Sequence, residues 1–395
     1  MNPPASNERP RWQIILGGMC ALGLALGMAR FAYTPMLPIM QREAGLGIAL
    51  GGWLATINYL GYICGALLAA WLESPEWRRR AYLWGLGLGV LSTAGMALSA
   101  DPVVWMVARF LGGLCGAAGM LLGAGLVLSW LMRHGHRAEL GVYFIGAGLS
   151  IVITGLMAMG FVAAHWTWQA QWWGYTAAGL VLWAMAWWLC PEQGQTPAAK
   201  QATSLASGDM RRLIIMYFLA GIGFGVSATY TVAMVDAAAG RGASGPLTWI
   251  GVGLLAAMGT VVWDRIGRRW GQVQAIMWAL LLQSLSVFWP AWMPTLLGAV
   301  GGAVLFGMTF TGIVATSLAV SGRLAPHNPG KAMARLTLAY GVAQVVAPAW
   351  TGMVVAATGH YEGALTLTGV MLLLGAAMLW PMRHGATAPP PNPQA

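Results

Sequence analysis

Two charged side chains, Arg30 and Arg109, fall well inside long apolar runs, where an arginine costs at least about 2.5 to 3.5 kcal/mol on insertion scales. Such a cation needs an interior or wet position, and its planar fork of donors suits a carboxylate or phosphate. Arg30 lies on the stripe Gly23, Gly27, Arg30, Thr34, whose spacing is one face of an α-helix, small and polar rather than lipid-like. Arg109 leads into Gly112, Gly116, Gly119 and Gly123, again one face of closely packing small residues. Both arginines are therefore expected to point into a helical bundle. At about 1.5 Å per residue, Arg109 lies about 10 Å in from Pro102 and Arg30 about 12 Å before Pro38, similar depths that allow a shared anion site. The competing reading is structural: Arg109 caps backbone carbonyls or orders water, and Arg30 gates the outer end or snorkels to the interface.

Neutral polar groups extend the list. Asn58 and Tyr62 share the face Gly51, Ala55, Asn58, Tyr62, Gly65, and Tyr340 and Gln344 are helical neighbours four apart. They serve either a bound ligand or ordinary interhelical bonds worth about 0.6 kcal/mol each. Tyr230 is a further cavity candidate, and Tyr33, three residues after Arg30, is expected to support its orientation. Asp236, near the outer end of the seventh run, is either a proton site or a solvated helix cap. His134 and His136 have arginine neighbours and no third ligand, so no metal is expected. Cys20, Cys64, Cys115 and Cys190 show no CxxC spacing and read as reduced packing thiols. A nucleophile with its base, a phosphate loop and an appended soluble domain are all lacking, so neither an enzyme nor a cofactor is expected.

The elements that must position these groups follow from composition. The chain has 395 residues, 58% hydrophobic and 8% charged, against roughly 25% charged in a soluble domain. It divides into about twelve apolar runs of the ~20 residues that a bilayer core requires: 12–40, 50–72, 81–100, 103–131, 138–164, 169–189, 212–236, 246–263, 271–289, 295–321, 332–357 and 362–381. Barrel strands would alternate polar and apolar, and these runs do not. The leader with Arg9 and Arg11 precedes a run too long for a signal h-region, so the first span is read as retained. An all-α membrane protein is expected, with two six-helix halves. The tail is 1–11, the first half 12–190, the linker 191–210, the second half 211–382 and the last tail 383–395.

Charge sets the orientation. With the N-terminus inside, Arg9, Arg11, Arg78, Arg79, Arg80, Arg133, Arg137, Lys200, Arg211, Arg212, Arg265, Arg268, Arg269, Arg323, Lys331, Arg335 and Arg383 are cytoplasmic, against Arg42 and Arg241 outside. This bias predicts both termini in the cytoplasm and an even number of spans. The formal charge of +10 is then topological and implies no nucleic-acid partner. The sixth run opens on Trp166, Trp168, Trp172 and Trp173 and closes on Trp183, Trp187 and Trp188, as interfacial belts do. Arg79 and Arg269, and Arg133 and Arg323, stand at equal separations, the register of a parallel duplication.

The stretch Gly259-Thr-Val-Val-Trp-Asp264-Arg265-Ile-Gly267-Arg268-Arg269 resembles the signature loop of the major facilitator superfamily, G-x-x-x-D-R-x-G-R-R, with the leading Gly one residue early. The matching stretch of the first half, Gly65 to Arg80, keeps the basic run but carries Glu73 and Glu76 in place of the core. Arg109-Phe-Leu-Gly112-Gly113 is similar to the R-x-x-q-G motif of the fourth helix, with Gly for Gln. The Gly-Pro pair of drug antiporters is missing from Gly141 to Gly160. Gly27-Met-Ala-Arg30-Phe31-Ala-Tyr33-Thr34-Pro35-Met-Leu37-Pro38 resembles the start of YbfB/YjiJ-type facilitators, which Asn58-Tyr59-Leu-Gly61-Tyr62 and Gly341-Val-Ala-Gln344 with Pro348 also fit. The resemblance implies a multi-pass protein of the bacterial inner membrane, a monomer in the lipid bilayer, moving a small-molecule substrate by alternating access, with Asp264, Arg265, Gly267, Arg268 and Arg269 as a conformational-gating loop. The leading expectation is a secondary transporter of a small solute, with an organic anion and proton coupling as the finer reading beside a uniporter. The alternatives are an efflux pump for amphipathic compounds or sugars and, more remotely, a polytopic membrane enzyme or sensor.

Overall fold

A computed structural model describes residues 10–72, 74–134, 141–191, 208–240, 244–324 and 329–383, and every regular element among them is helical. The first span is one interrupted rod, α1 (Arg11–Leu22), a π-helical segment (Gly23–Phe31) and α2 (Tyr33–Glu43). Then come α3 (Ile48–Trp71) and α4 (Pro75–Leu98). The fourth span repeats the interruption, with α5 (Pro102–Ala117), a π-helical segment (Ala118–Gly123) and α6 (Ala124–Arg133). α7 (Gly141–Ala163) and α8 (Trp168–Trp188) follow. Beyond the stretch 192–207, which is outside the described residues, lie α9 (Gly208–Ala239), α10 (Ser244–Trp270), α11 (Gln272–Trp292), α12 (Leu296–Leu324), α13 (Pro329–Thr358) and α14 (Glu362–Met378).

Eleven helices among the described residues are long and apolar enough to cross a membrane. The expected sixth span, α8, is not one of them, although its 21 residues suffice in length. Its tryptophans, with Gln169 and Gln171, lower its hydropathy while leaving it a membrane-compatible helix. Capping explains where helices begin. Asp101 accepts from the amides of Val103 and Val104 at the start of α5, at 2.7 and 3.3 Å, with Pro102 in the first turn, where its missing N–H costs nothing. Thr167 caps α8 by accepting from the Ala170 amide, and Glu43 at the end of α2 accepts from the Trp168 amide at 2.9 Å, placing a carboxylate against a helix N-terminus.

Contacts divide the chain into two compact units, Met1–Gly45 with Ile57–Ala198, and Leu46–Thr56 with Ala199–Ala395. The first turns of α3 are therefore packed into the second unit and the rest of α3 into the first. In the first unit α3 and α5 cross at bare backbone. A Cβ on Gly61 would run into the Phe110 carbonyl, and one on Gly113 into the Asn58 carbonyl, 2.6 Å from the Tyr62 nitrogen. In the second unit α10 lies on α12 in the same manner. A Cβ on Gly259 would meet the Met308 carbonyl, which accepts from Trp263 Nε1 at 2.8 Å, while Thr311 Oγ1 donates to the Ala256 carbonyl at 2.7 Å. Close packing of small residues with interhelical hydrogen bonds is what holds helices together where lipid removes the hydrophobic drive.

Candidate functional site

The π-helical turn of the first span carries Arg30. Here the Ala32 amide donates to the Gly27 carbonyl, five residues back, at 2.8 Å. Each residue a wide turn adds rotates the following side chains by about 100° relative to an α-helix. The expected single face of Gly23, Gly27, Arg30 and Thr34 is therefore not formed. Gly23 faces Leu182 of α8, Gly27 faces Ser150 of α7, and the Arg30 guanidinium lies over Tyr59 of α3, 4.3 Å from its ring centre. Tyr62 lies 5.6 Å from the same guanidinium. The Arg109 stripe divides likewise across its own π turn. Gly112 faces Ser92, Asn58 and the Ala29 carbonyl, Gly116 faces Tyr62, Gly119 faces Ala21 and Ala25, and Gly123 faces Tyr82 and Tyr143.

Arg109 is 2% exposed and donates from one terminal nitrogen to the Ala29 carbonyl at 2.9 Å. Asn58 Nδ2 donates to the Arg109 carbonyl at 2.9 Å and reaches the Ala29 carbonyl at 3.4 Å. Two side chains from two neighbouring helices thus converge on the backbone of the residue before Arg30, and the two arginines stand at one level. The Tyr33 ring lies 4.4 Å from the Arg109 guanidinium, so Tyr33 supports Arg109. Of the two cations Arg109 donates to the protein's own carbonyl, and Arg30, half-buried, lies over tyrosine rings. Tyr59 supplies the ring nearest Arg30. Its spacing from Asn58 and Tyr62 carries no sign of this contact, because the π turn aims Arg30.

A family described as "Uncharacterised MFS-type transporter YbfB" matches residues 22–380. The chain belongs to this family. It is also similar to the uncharacterized MFS-type transporter YceJ of Bacillus subtilis, 22% identical over 374 residues, 88% of this chain and 91% of that one. With the uncharacterized transporter mfc1 of Schizosaccharomyces pombe it shares 28% over 140 residues, 35% of this chain and 28% of the relative. Among solved structures, a bacterial homologue of the human lysosomal transporter Spinster, inward-facing and unoccupied, superposes with a TM-score of 0.73 at 16% identity, covering 98% of this chain and 100% of that one. The nucleoside transporter NupG gives 0.72 at 12%, covering 95% and 99%, and the human organic anion transporter MFSD10 gives 0.67 at 17%, covering 94% and 100%. Identities this low establish a shared fold. The protein is a multi-pass transporter of the major facilitator type, with bacterial relatives.

The second unit of this facilitator holds the remaining candidates. Tyr340 stacks on Tyr217, with ring centres 4.5 Å apart, and leans on Phe224 at 5.7 Å, itself beside Phe306 and Phe310. Gln344, one turn on, is buried where Gly225 brings α9 against α13. Tyr230 Oη donates to the Pro348 carbonyl at 2.8 Å. Thr56, in the part of α3 that packs with this unit, donates to the Val345 carbonyl at 2.6 Å and accepts from the Ala349 amide at 3.1 Å. Proline cannot donate, and these two hydroxyls fasten the backbone on either side of it. Tyr230 is thus an interhelical fastener, a role its residue type leaves open. Asp236 is the one buried carboxylate among the described residues, 8% exposed, and its Oδ1 comes within 3.7 Å of the space a Cβ on Gly245 would occupy. That places the carboxylate by the first turn of α10, where helix dipoles favour negative charge.

Asp264, Arg265, Gly267, Arg268 and Arg269 are expected in a loop, yet α10 runs unbroken to Trp270 and only Gly271 separates it from α11. The basic residues suit the last turn of a helix, and Gly271 ends it with a φ of 98°. Asp264 pairs with Arg268 of the same helix, and both are exposed. Gly267 is buried, with room for a Cβ only 3.4 Å from Gln272 Cγ. His134 stacks on Trp130 and its Nδ1 lies 2.8 Å from the Trp130 carbonyl, and His136 lies outside the described residues. Among the described residues no His, Cys, Asp and Glu gather as a metal site, and none of the four cysteines is in a disulfide.

Proposed function

We propose that this facilitator is a secondary transporter of a small organic anion working by alternating access, in which Arg30 contacts the anion, Arg109 positions Arg30, and Asp236 carries the coupling proton. Solved proteins of this fold include a nucleoside transporter and an organic anion transporter, so the cargo must be read from the site. The observation that carries the reading is the division of labour around Ala29. Arg109 is bound to the Ala29 carbonyl, while the neighbouring Arg30 guanidinium lies over the Tyr59 ring. The planar fork of donors on a guanidinium matches a carboxylate. Asp236 is assigned the proton because it is the buried carboxylate, and the end of α10 from Asp264 to Arg269 is assigned the gating role. The excess of arginines on alternate loops supports cytoplasmic termini and an inner-membrane location, with the monomer as the working form.

A second reading, export of amphipathic compounds, draws on the rings of Tyr217, Phe224, Phe306, Phe310 and Tyr340 gathered in the second unit. Counterflow in proteoliposomes separates the two, using labelled carboxylates, sugars, amino acids and lipophilic cations, with and without an imposed pH gradient. Saturable carboxylate exchange is expected in the native protein, lost in Arg30→Gln. Asp236→Asn is expected to keep exchange and lose accumulation driven by the pH gradient. Flux of lipophilic cations or neutral solutes with none of any carboxylate overturns the anion reading.

A further inference from the structure

Along one face of α4 in the first unit stand Trp77, Arg80, Trp84 and Leu91, at helical spacing. Trp77 and Trp84 are 58% and 62% exposed, and Leu91 and Leu98 further along are also exposed. The Arg80 guanidinium lies over the Trp77 ring at 5.2 Å. One turn on, Trp84 meets Trp187 of α8 edge-on with ring centres 5.4 Å apart, and Trp183 completes the group at 6.3 and 5.9 Å from the two. Trp183 is the fixed member. Its Nε1 donates to the Leu83 carbonyl at 2.8 Å, and its ring fills the space over Gly87, where a Cβ would come within 2.9 Å.

The neighbouring cations are differently placed. Arg78 Nε donates to the Leu72 carbonyl at 2.6 Å, which ties it to the end of α3. Arg79 is half-buried, and Arg80 is exposed. Among the described residues no carboxylate is in ion-pair distance of Arg79 or Arg80, Glu76 of the same helix included.

We propose that this face binds the headgroup of an anionic phospholipid from the surrounding leaflet. The face reproduces the order of such a lipid. A cation lies at the end, indole rings follow about 6 Å further along the helix, and exposed leucines begin about 16 Å from Arg80, counting 1.5 Å per residue. Arg80, over the Trp77 ring and exposed, offers its paired donors to a phosphodiester, while Trp84 and Trp187 take the glycerol and ester level that tryptophan favours. Leu91 and Leu98 meet the acyl chains. The net positive charge of the Arg78–Arg80 cluster selects anionic over zwitterionic headgroups.

The test is native mass spectrometry of the full chain released from nanodiscs of mixed phosphatidylglycerol and phosphatidylcholine. Thermal stability is measured in parallel with each lipid and with inorganic phosphate. The native protein is expected to retain phosphatidylglycerol over phosphatidylcholine, and Arg80→Gln to lower that retention about fivefold, the effect of one basic residue at an anionic surface. Trp84→Leu is expected to shorten retention while keeping the thermal midpoint of the lipid-free protein. Arg212→Gln, which removes an exposed cation already paired with Asp209, is expected to leave retention unchanged. Equal retention of the two lipids, or of phosphatidylglycerol by native and Arg80→Gln chains, overturns the proposal, as does full stabilisation by inorganic phosphate alone.

Discussion

Gly113→Ala tests whether the crossing of α3 and α5 sets the arginine site. The added methyl would stand on the Asn58 carbonyl, 2.6 Å from the Tyr62 nitrogen and 2.8 Å from the Gly61 carbonyl carbon. Ordinary contact begins near 3.4 Å, and all three obstacles are backbone, so no rotamer change relieves them. The helices must part by roughly 1 Å, at the upper end of the 1 to 3 kcal/mol that overpacking costs. The same movement stretches the 2.9 Å bond from Asn58 to the Arg109 carbonyl, adding about 0.6 kcal/mol. The sum is about 3.5 kcal/mol, or a fall of about 7 to 14 °C in Tm for a unit of this size. The assay is thermal unfolding in nanodiscs, with Gly251→Ala as control. Gly251 lies inside α10 with nothing within 4 Å of the added methyl, so the substitution relieves glycine's helix penalty of about 0.5 to 1 kcal/mol and is expected to raise Tm slightly. A Gly113→Ala protein that melts with the native one refutes the packing argument. A Gly113→Ala protein that melts early yet exchanges carboxylates with native affinity refutes the link from that crossing to Arg30.

Arg109→Met is expected to lower Tm by about 4 to 8 °C, because the Ala29 carbonyl loses its guanidinium donor and keeps the 3.4 Å contact of the Asn58 side chain, and a charge-assisted bond of about 2 kcal/mol is lost. Arg30→Gln should lower it by clearly less while abolishing anion exchange, and equal thermal losses in the two variants would remove the distinction between binding and positioning residue. Thr56→Val deletes both the donor to Val345 and the acceptor for Ala349. A fall of about 2 to 5 °C, restored by Thr56→Ser, is the expected reading for two interhelical bonds of about 0.6 kcal/mol each. Asp264→Asn breaks an exposed ion pair within one helix, worth at most about 1 kcal/mol. It should leave Tm nearly constant while slowing counterflow, and unchanged flux would end the gating assignment of that helix end.

Hydropathy alone placed most span ends to within about four residues, and the end of the run 246–263 seven short of Trp270. The run 12–40 became Arg11–Glu43 and 295–321 became Leu296–Leu324, because the cost of exposing backbone to lipid is paid residue by residue and leaves a local mark. The helix cap at Asp101 and the stop at Gly271 are local in the same sense. The depth of the two arginines was equally legible, being a count along a rod. What a count cannot supply is direction once the rod changes pitch. The π turn from Gly23 to Phe31 sends Gly27 to α7 and Arg30 to the tyrosines of α3, and beyond it Tyr33 lies against Arg109. Asp264 to Arg269 looked like a loop because charge and glycine are loop composition, whereas basic residues are also what the last turn of a helix favours. The sequence by itself determined that two cations stand in apolar runs, at similar counts from Pro102 and Pro38. Only the tertiary structure decided that one of them binds the chain's own Ala29 carbonyl and the other rests against Tyr59, since that depends on which neighbouring helix a widened turn brings within reach.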